Sequence, residues 1–199
     1  IKPLTKWVLK TALRQCEEWY RAGVPLSMSV NVSAISIQDP EFPGQMAKVL
    51  EDFDVPASQI ELEITETAVM SEPVRAVECI RQLSALGFQV AIDDFGTGYS
   101  SMAYLKELLG AKIKIDKSFV KDMAVNHNDA VIVRSTVELG HNLGLKVVAE
   151  GVEDQMAWDK LKALGCDSAQ GYFMGRPVPV GEFMDWLGKS RWGLPVKSG

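Results

Sequence analysis

The chain alternates between short strand-like runs and longer runs with helical spacing of apolar residues. Runs such as FQVAIDDF and LKVVAEG are rich in apolar and β-branched residues, whereas in DAVIVRSTVELGHNLG apolar residues recur every three or four positions. The pattern predicts six strands and seven helices, beginning with a helix over 4–21. Strands that alternate with helices in this way are typical of βα units, which build a parallel sheet covered by helices. We therefore expect an α/β fold.

Four of the predicted helices end in the same dipeptide, Leu-Gly. The pairs are Leu86-Gly87, Leu109-Gly110, Leu143-Gly144 and Leu164-Gly165. A glycine directly after a helix can adopt the left-handed conformation that closes the last helical turn. Each pair is followed by a short strand-like run and then by a polar side chain, so these four units repeat one structural plan.

Polar side chains stand at the C-terminal ends of all six predicted strands. They are Asn31, Glu63, the adjacent Asp93 and Asp94, Lys114, Glu150 and Gln170. In a parallel barrel or open parallel sheet these ends lie at one face, where active sites are built. Any one of these residues alone is equally well explained as a helix cap or an exposed polar group. Polar residues at all six strand ends together indicate a site.

The number of strands predicts how much of a barrel is present. A TIM-like (β/α) barrel has eight strands and about 250 residues. The chain supplies six strands and opens on a helix, so the first two strands of such a barrel would precede Ile1. We expect a barrel domain over 1–188 that is incomplete at its N-terminus, and a C-terminal tail over 189–199.

Composition limits the possible partners and the compartment. The 199 residues carry a formal net charge of −5 without a block of lysine or arginine, which argues against binding of a nucleic-acid polymer. No apolar run reaches the roughly 18 residues that cross a bilayer, and no signal segment opens the chain. We expect a cytoplasmic domain without direct membrane insertion, which does not exclude a place in a larger, membrane-attached protein. The widely spaced Cys16, Cys79 and Cys166 indicate reduced thiols, not a zinc site or a disulfide framework.

The strand-end residues are hard oxygen ligands. Glu63, Asp93, Asp94 and Glu150 supply carboxylates and Asn31 adds an amide oxygen, with no histidine or cysteine among them. This set favours Mg²⁺ or Mn²⁺ over zinc. Divalent cations beside the adjacent aspartates would offset their repulsion, and four carboxylates exceed what one Mg²⁺ usually takes from protein. Two ions about 4 Å apart can clamp a phosphodiester and activate a water.

Three more residues near these carboxylates have a chemical interpretation. Lys114 would orient the attacking water or stabilise phosphate charge. Gly96 and Gly98 would let the loop after Asp94 move or pass close to the metals. The DFG triplet in this loop also occurs in protein kinases, but the chain lacks the glycine-rich loop, strand lysine and HRD-type loop that a kinase needs. The kinase interpretation is therefore rejected.

Six motifs carry a family resemblance. In order they are NVSA, ELEITET, AIDDFGTGYSSMAYL, IKIDKSFV, VVAEGVED and AQGYFMGRPVP, each at a predicted strand end or in the loop after it. In these motifs, over nearly its whole length, the chain resembles the EAL domain family, the cyclic di-GMP phosphodiesterases of bacterial signalling. The resemblance implies a TIM-like barrel that hydrolyses cyclic di-GMP to linear pGpG with two Mg²⁺ or Mn²⁺ ions.

The resemblance also implies roles for the metal ligands. Asn31, Glu63 and Asp93 look like the ligands of one ion. Asp93 would bridge to a second ion that Asp94 and Glu150 also hold. Together with Lys114, which resembles the lysine that contacts the nucleophilic water, Asp94 and Glu150 are the expected catalytic residues.

Residues around the ligands take supporting roles by the same resemblance. Gln170 resembles the glutamine that supports the metal cluster. Glu66 looks like the anchor of the loop 95–101, which includes Gly96 and Gly98 and is linked in the family to dimerisation and metal binding. The last barrel loop would approach the ligand through three residues, Tyr172, Arg176 and Pro177.

The chain departs from the family in one major respect. The Glu-Ala-Leu motif that names the family, and the arginine shortly after it that contacts ligand phosphate, have no counterpart in the 199 residues. Both would precede Ile1. We therefore expect the isolated chain to hydrolyse weakly or not at all, and a longer parent protein, a homodimer with flanking regulatory domains, to be active.

Two other functions are alternatives to a phosphodiesterase. A catalytically silent receptor would bind cyclic di-GMP and signal through a partner; such modules usually lose metal-ligating carboxylates, and those visible here are intact. Another TIM-like metal enzyme, such as a lyase, would have to match the six motifs by chance.

Overall fold

One parallel sheet organises the molecule. The computed structural model describes residues 2–98, 102–108 and 110–193. Its strands pair in chain order and are β1 (Met28–Asn31), β2 (Ile60–Thr65), β3 (Gln89–Phe95), β4 (Lys112–Ile115), β5 (Lys146–Ala149) and β6 (Ser168–Ala169). All five pairings are parallel, and the sheet curls into a half-barrel. The α/β class and the six parallel strands predicted from the alternation are confirmed.

Ten α-helices occur within the described residues. They are α1 (Lys2–Arg21), α2 (Ala34–Ile37), α3 (Phe42–Leu50), α4 (Glu66–Ser71), α5 (Pro73–Ala85), α6 (Met102–Leu105), α7 (Lys117–Val120), α8 (His127–Asn142), α9 (Gln155–Ala163) and α10 (Val180–Lys189). Seven of these were predicted; α2, α4 and α7 were not. Each of the three directly follows a strand and begins at a side-chain cap, from Ser33, Thr65 and Asp116 respectively. These caps satisfy amide groups of very short helices that apolar spacing alone does not reveal.

The glycines of the four Leu-Gly pairs have the predicted conformation. Gly87, Gly110, Gly144 and Gly165 have φ angles of 96°, 79°, 72° and 76°. These values lie in the left-handed region, which costs glycine little. Gly87, Gly144 and Gly165 each lie two residues after the end of a helix, so the predicted plan is confirmed there. Gly110 does not end a helix, because α6 ends at Leu105, and Leu109 lies outside the described residues.

Alternation along the strands separates the core from the site. In β2, Leu62 and Ile64 are buried in the main apolar cluster, together with Leu9 and Leu13 of α1. The intervening residues of β2, Glu61 and Glu63, face the opposite, inner side of the curled sheet. Since successive side chains of a strand point to opposite faces, packing of the apolar face under the helices directs the polar face inward.

The C-terminal region packs against α9 and the segment after β6. Trp192 lies 4.7 Å from Trp158 of α9 and 5.9 Å from Phe173, between ring centroids. The tail predicted over 189–199 thus contacts the domain at Trp192, and its residues from 194 onward lie outside the described part. Among the described residues, no helix combines the length and apolar character that crossing a membrane requires.

Candidate active site

Parallel strand register brings the predicted polar residues to one edge. Asn31 at the end of β1 pairs in register with Glu63 of β2. Beyond β5, the amide of Glu150 donates to the carbonyl of Ile115 at 3.1 Å, and the amide of Gln170 donates to that of Ala149 at 2.8 Å. The sheet therefore extends by backbone hydrogen bonds up to the site residues themselves.

Lys114 lies at the centre of the site. Its Nζ is 2.6 Å from Oε1 of Glu63, 2.9 Å from Oδ1 of Asp93 and 2.6 Å from Oε1 of Glu150, and the residue is only 2% exposed. Burial lowers the pKa of the Lys114 ammonium, but the contacts with Glu150, Glu63 and Asp93 outweigh burial and raise it above its ordinary value. The lysine is thus a fixed positive charge that joins carboxylates from three strands or strand ends.

Three carboxylates form a cluster beside this lysine. Asp93, Asp94 and Glu150 each offer an oxygen, and these oxygens lie within 4.8 Å of one another. Burial raises the pKa of Glu150, and burial together with the charges of Asp93 and Asp116 raises the pKa of Asp94. Glu63 stands outside this group and is joined to it through Lys114. The cluster therefore holds more negative charge than its surroundings neutralise.

The backbone is distorted so that two successive aspartates can join one site. In a regular strand Asp93 and Asp94 would point to opposite faces. Asp94 has a φ of 53°, the one positive value of a non-glycine residue in the described chain, and the register of β3 with β4 shifts between Ile92 and Phe95. This irregularity turns the Asp94 carboxylate toward that of Asp93. Strained backbone of this kind is retained where surrounding structure enforces it, often at functional sites.

Glu66 holds the start of the loop after β3. Its Oε2 accepts hydrogen bonds from the amides of Gly96 at 2.8 Å and Gly98 at 3.4 Å, and the residue is 1% exposed. A Cβ at Gly96 would lie 3.1 Å from the Phe119 ring, and one at Gly98 would lie 3.1 Å from Glu66 itself. Gly96 therefore permits close approach to Phe119, and Gly98 permits close approach to Glu66. Residues 99–101 of this loop lie outside the described part.

Gln170 and the last loop border the same site. The side-chain amide of Gln170 donates a hydrogen bond through Nε2 to Oε1 of Glu150 at 2.8 Å. A cavity of about 670 Å³ opens beside these two residues and is also lined by Tyr172, Arg176 and Pro177. The Arg176 guanidinium lies 4.6 Å from the centroid of the Tyr172 ring. The three residues predicted to approach a ligand thus share one cavity with Glu150, one member of the carboxylate cluster.

Asp116 was not among the predicted site residues. This residue caps α7, and it also contributes to the raised pKa of Asp94. Burial raises the pKa of Asp116, but its hydrogen bonds with Ser118 outweigh burial and lower it. Its position directly after a strand-end lysine, in IKID, was the available signal.

The donor set fits divalent cations. All the clustered ligands are oxygens, as Mg²⁺ and Mn²⁺ prefer. Oδ1 of Asp93 is buried and, in the described part of the chain, receives no hydrogen bond in bonding geometry, although Nζ of Lys114 is 2.9 Å away. Buried acceptor oxygens are normally paired in native proteins, and a cation would occupy the lone pairs of this oxygen that the Lys114 ammonium leaves open.

A curled parallel sheet with clustered carboxylates and a buried lysine at its C-terminal edge defines a TIM-like α/β protein with a candidate hard-cation site. The EAL domain profile matches residues 1–177. The chain belongs to the EAL domain family.

Relatives and solved structures agree with this assignment. The chain is 34% identical to cyclic di-GMP phosphodiesterase PA2567 of Pseudomonas aeruginosa, covering 94% of this chain and 32% of the relative. It is 38% identical to the bifunctional diguanylate cyclase/cyclic di-GMP phosphodiesterase MucR of the same organism, covering 92% and 27%. The chain therefore spans about a third or less of these relatives.

Two solved structures have the same fold. The structure described as PaMucR phosphodiesterase in complex with cyclic di-GMP superposes with a TM-score of 0.86 at 38% identity, over 91% of this chain and 74% of that one. The EAL domain of Mycobacterium smegmatis DcpA gives 0.86 at 37% identity, over 94% and 85%.

Proposed function

We propose that the protein hydrolyses cyclic di-GMP to linear pGpG with two Mg²⁺ or Mn²⁺ ions. The observation that carries the proposal is the group of carboxylates around buried Lys114, in a chain whose named relatives are cyclic di-GMP phosphodiesterases. Five residues would hold the ions: Asn31, Glu63, Asp93, Asp94 and Glu150. When bound, such ions neutralise a phosphodiester and make a water molecule a better nucleophile.

The residues of the chain supply orientation and charge. The Lys114 ammonium holds Glu63 and Glu150 in place through contacts of 2.6 Å, and its charge would stabilise a phosphate oxygen or a nucleophilic water. Burial raises the pKa of Glu150, which makes its carboxylate a stronger base than an ordinary glutamate. Gln170 restrains the Glu150 carboxylate through its hydrogen bond at 2.8 Å, so that one oxygen keeps a fixed orientation.

The cavity beside Glu150 would take part of the dinucleotide. Its volume of about 670 Å³ falls within the ordinary size of ligand sites, roughly 300–1,000 Å³. Tyr172 and Arg176 present a ring and a planar cation on which a base can stack, with Pro177 beside them. In this arrangement the phosphodiester would face the carboxylates while a guanine lies against the last loop.

Further proposals concern the parent protein. Coverage of a third or less of the relatives supports additional, regulatory domains around this one, which we place at 1–188 with a tail over 189–199. Anchoring of the Gly96–Gly98 segment by Glu66 supports a role of the loop 95–101 in dimerisation and metal binding. We place the domain in the cytoplasm, and we expect the 199 residues alone to hydrolyse weakly or not at all.

Turnover tests the proposed function. Cyclic di-GMP would be incubated with the full parent protein, and separately with the 199 residues, in Mg²⁺ or Mn²⁺, and the products separated by chromatography. We expect pGpG from the parent protein and none from its Asp93→Asn variant. Binding of cyclic di-GMP without product would overturn the phosphodiesterase proposal and indicate a catalytically silent receptor.

A further inference from the structure

A second set of polar residues lies one layer below the site on the inner face of the sheet. Ser29, Glu61 and Lys112 each precede a site residue by two positions, on β1, β2 and β4 respectively. Residues two apart on a strand share a face and are separated by about 6.6 Å along it. The lower set therefore repeats the order of the upper set of Asn31, Glu63 and Lys114.

The lower set forms a closed group. Oε2 of Glu61 is ion-paired with Nζ of Lys112, and Oε1 of Glu61 accepts a hydrogen bond from the Ser29 hydroxyl at 3.2 Å. Glu61 is 9% exposed, so its charge needs a partner inside the protein. The intervening strand β3 has only a methyl side chain, that of Ala91, at the register position of Lys112, which leaves room for lysine to cross from β4 to β2.

Two lysines and two glutamates thus face each other across β3 with the same spacing. In the structure, Lys112 is ion-paired with Glu61, and Lys114 is ion-paired with Glu63. If the Lys114 side chain turned toward the lower set, its ammonium would pair with Glu61. Glu63, Asp93 and Glu150 would then lose their ammonium. Both glutamates are buried, so an unpaired Glu61 would compete strongly for the next ammonium on the same face.

We infer that Lys112 is a positioning residue for the proposed phosphodiesterase: by neutralising Glu61 it keeps the Lys114 ammonium in the carboxylate site. This inference rests on the proposed function for its effect on turnover, but not for its effect on Lys114. Lys112 itself contacts neither the clustered carboxylates nor the cavity of the last loop. Lys112 acts indirectly: because it pairs with Glu61, the Lys114 ammonium stays paired with the carboxylates of the site.

The test uses variants that break and then restore the balance. Lys112→Met removes the partner of Glu61, Glu61→Gln/Lys112→Met removes both charges, and Lys112→Arg keeps the pair. Lys146→Met is the matched control, because Lys146 is the register partner of Lys112 on β5 but is paired with Asp167 away from the site. Turnover is measured on the parent protein with Mn²⁺.

A spectroscopic measurement follows Lys114 without metal or substrate. The side-chain ammonium of a buried lysine exchanges slowly and gives a ¹⁵N resonance, which is assigned by its disappearance in Lys114→Met. We expect Lys112→Met to shift or broaden this resonance and to lower turnover about tenfold, within the range for groups that orient metal ligands. The double variant should return the Lys114 resonance and the turnover toward the values of the unmodified protein. Lys112→Arg and Lys146→Met should change neither the resonance nor the turnover.

Two results would overturn the inference. One is a Lys114 resonance that Lys112→Met leaves unchanged. The other is a double variant as impaired as Lys112→Met, which would show that the loss comes from packing and not from an unpaired glutamate. If the unmodified parent protein shows no turnover, the proposed function fails, and the ¹⁵N measurement alone still decides whether Lys112 positions Lys114.

Discussion

The two ends of the sheet hold carboxylates under opposite electrostatic conditions. At the N-terminal ends of β5 and β6, the Asp167 carboxylate lies 2.7 Å from Nζ of Lys146 and 2.9 Å from Nε2 of His141, and it accepts a hydrogen bond from the Val147 amide at 2.9 Å. Burial raises the pKa of Asp167, but these contacts outweigh burial and lower it to about 2. This aspartate is satisfied by the protein alone.

At the C-terminal end the protein supplies less positive charge than its carboxylates carry negative charge. One ammonium, that of Lys114, faces Glu63, Asp93 and Glu150, while the pKa values of Glu150 and Asp94 are raised, mainly by burial. If the carboxylates at the C-terminal end only stabilised the fold, we would expect the protein to neutralise them, as it neutralises Asp167. Residual negative charge at the other end is what a cation site requires, since positive charge then arrives with the ligand.

Replacing Lys114 with methionine should have the largest effect on this contrast. The change leaves buried carboxylates without their cation, so we expect the free energy of unfolding without metal to fall by about 3 kcal/mol or more. Turnover of the parent protein should fall about 10²–10³-fold, as when one stabilising charge or donor is lost from a reaction site. Denaturant unfolding with and without Mn²⁺, and product formation, measure the two effects.

Lys146→Met is the control for this prediction at the opposite end. The Lys146 side chain is 71% exposed, so loss of the ion pair with Asp167 should cost less than about 1 kcal/mol. Mn²⁺ should restore stability to the Lys114 variant and not to the Lys146 variant. Equal losses in the two variants would contradict the distinction between the two ends.

Removing the Gln170 amide should weaken the cation site without unfolding the protein. Gln170→Ala removes the side-chain amide that donates to Oε1 of Glu150 at 2.8 Å and, among the described residues, leaves that oxygen with Lys114 alone. Loss of a group that orients a ligand typically lowers metal affinity 10–100-fold. Titration with Mn²⁺ measures the change. Gln155→Ala removes a comparable bond, 2.9 Å to Asp159 on exposed α9, and should leave Mn²⁺ affinity unchanged.

The sequence predicted the frame of the molecule better than its site geometry. Alternation gave the six strands, and the Leu-Gly pairs gave left-handed glycines such as Gly87 and Gly144, because both are local effects of chain periodicity and backbone conformation. The direction of Asp94 could not be predicted, since it depends on the irregular pairing of β3 with β4. The three-way contact of Lys114 likewise depends on strand register, which residues distant in the chain determine together.

Lowering the pH should weaken the cation site before it affects the opposite end. Protonated carboxyls do not bind Mn²⁺, and the pKa values of Asp94 and Glu150 lie above the ordinary 3.8 and 4.5. Mn²⁺ affinity should therefore begin to fall, as the pH drops from neutral, above the range in which ordinary carboxyls titrate. Titrations at a series of pH values check this; affinity that stays constant until the pH falls below 4.5 would contradict it.

Stability without metal should respond to pH with opposite signs at the two ends. The contribution of Asp167, whose pKa is lowered, is present above 3.8 and is lost as the pH falls toward about 2. The raised pKa values of Asp94 and Glu150 impose a penalty that is present above those values and is relieved as the pH falls through them. Unfolding free energies of the Asp94→Asn and Asp167→Asn variants across this range separate the two contributions.

The smallest predicted effect distinguishes the two ends most directly. The same change from aspartate to asparagine should alter the free energy of unfolding with opposite signs at the two ends. Asp94→Asn removes repulsion from Asp93 and Asp116, so we expect it to stabilise the metal-free protein, whereas Asp167→Asn weakens the contacts with Lys146 and His141 and should destabilise it. Both carboxylates are largely solvent-screened, so each change should stay within about 1 kcal/mol. Denaturant unfolding without metal measures both variants, and destabilisation by both would mean that Asp94 is satisfied in the folded chain. If the signs differ, the charge on Asp94 opposes folding, and cation binding is the compensation that the structure supports.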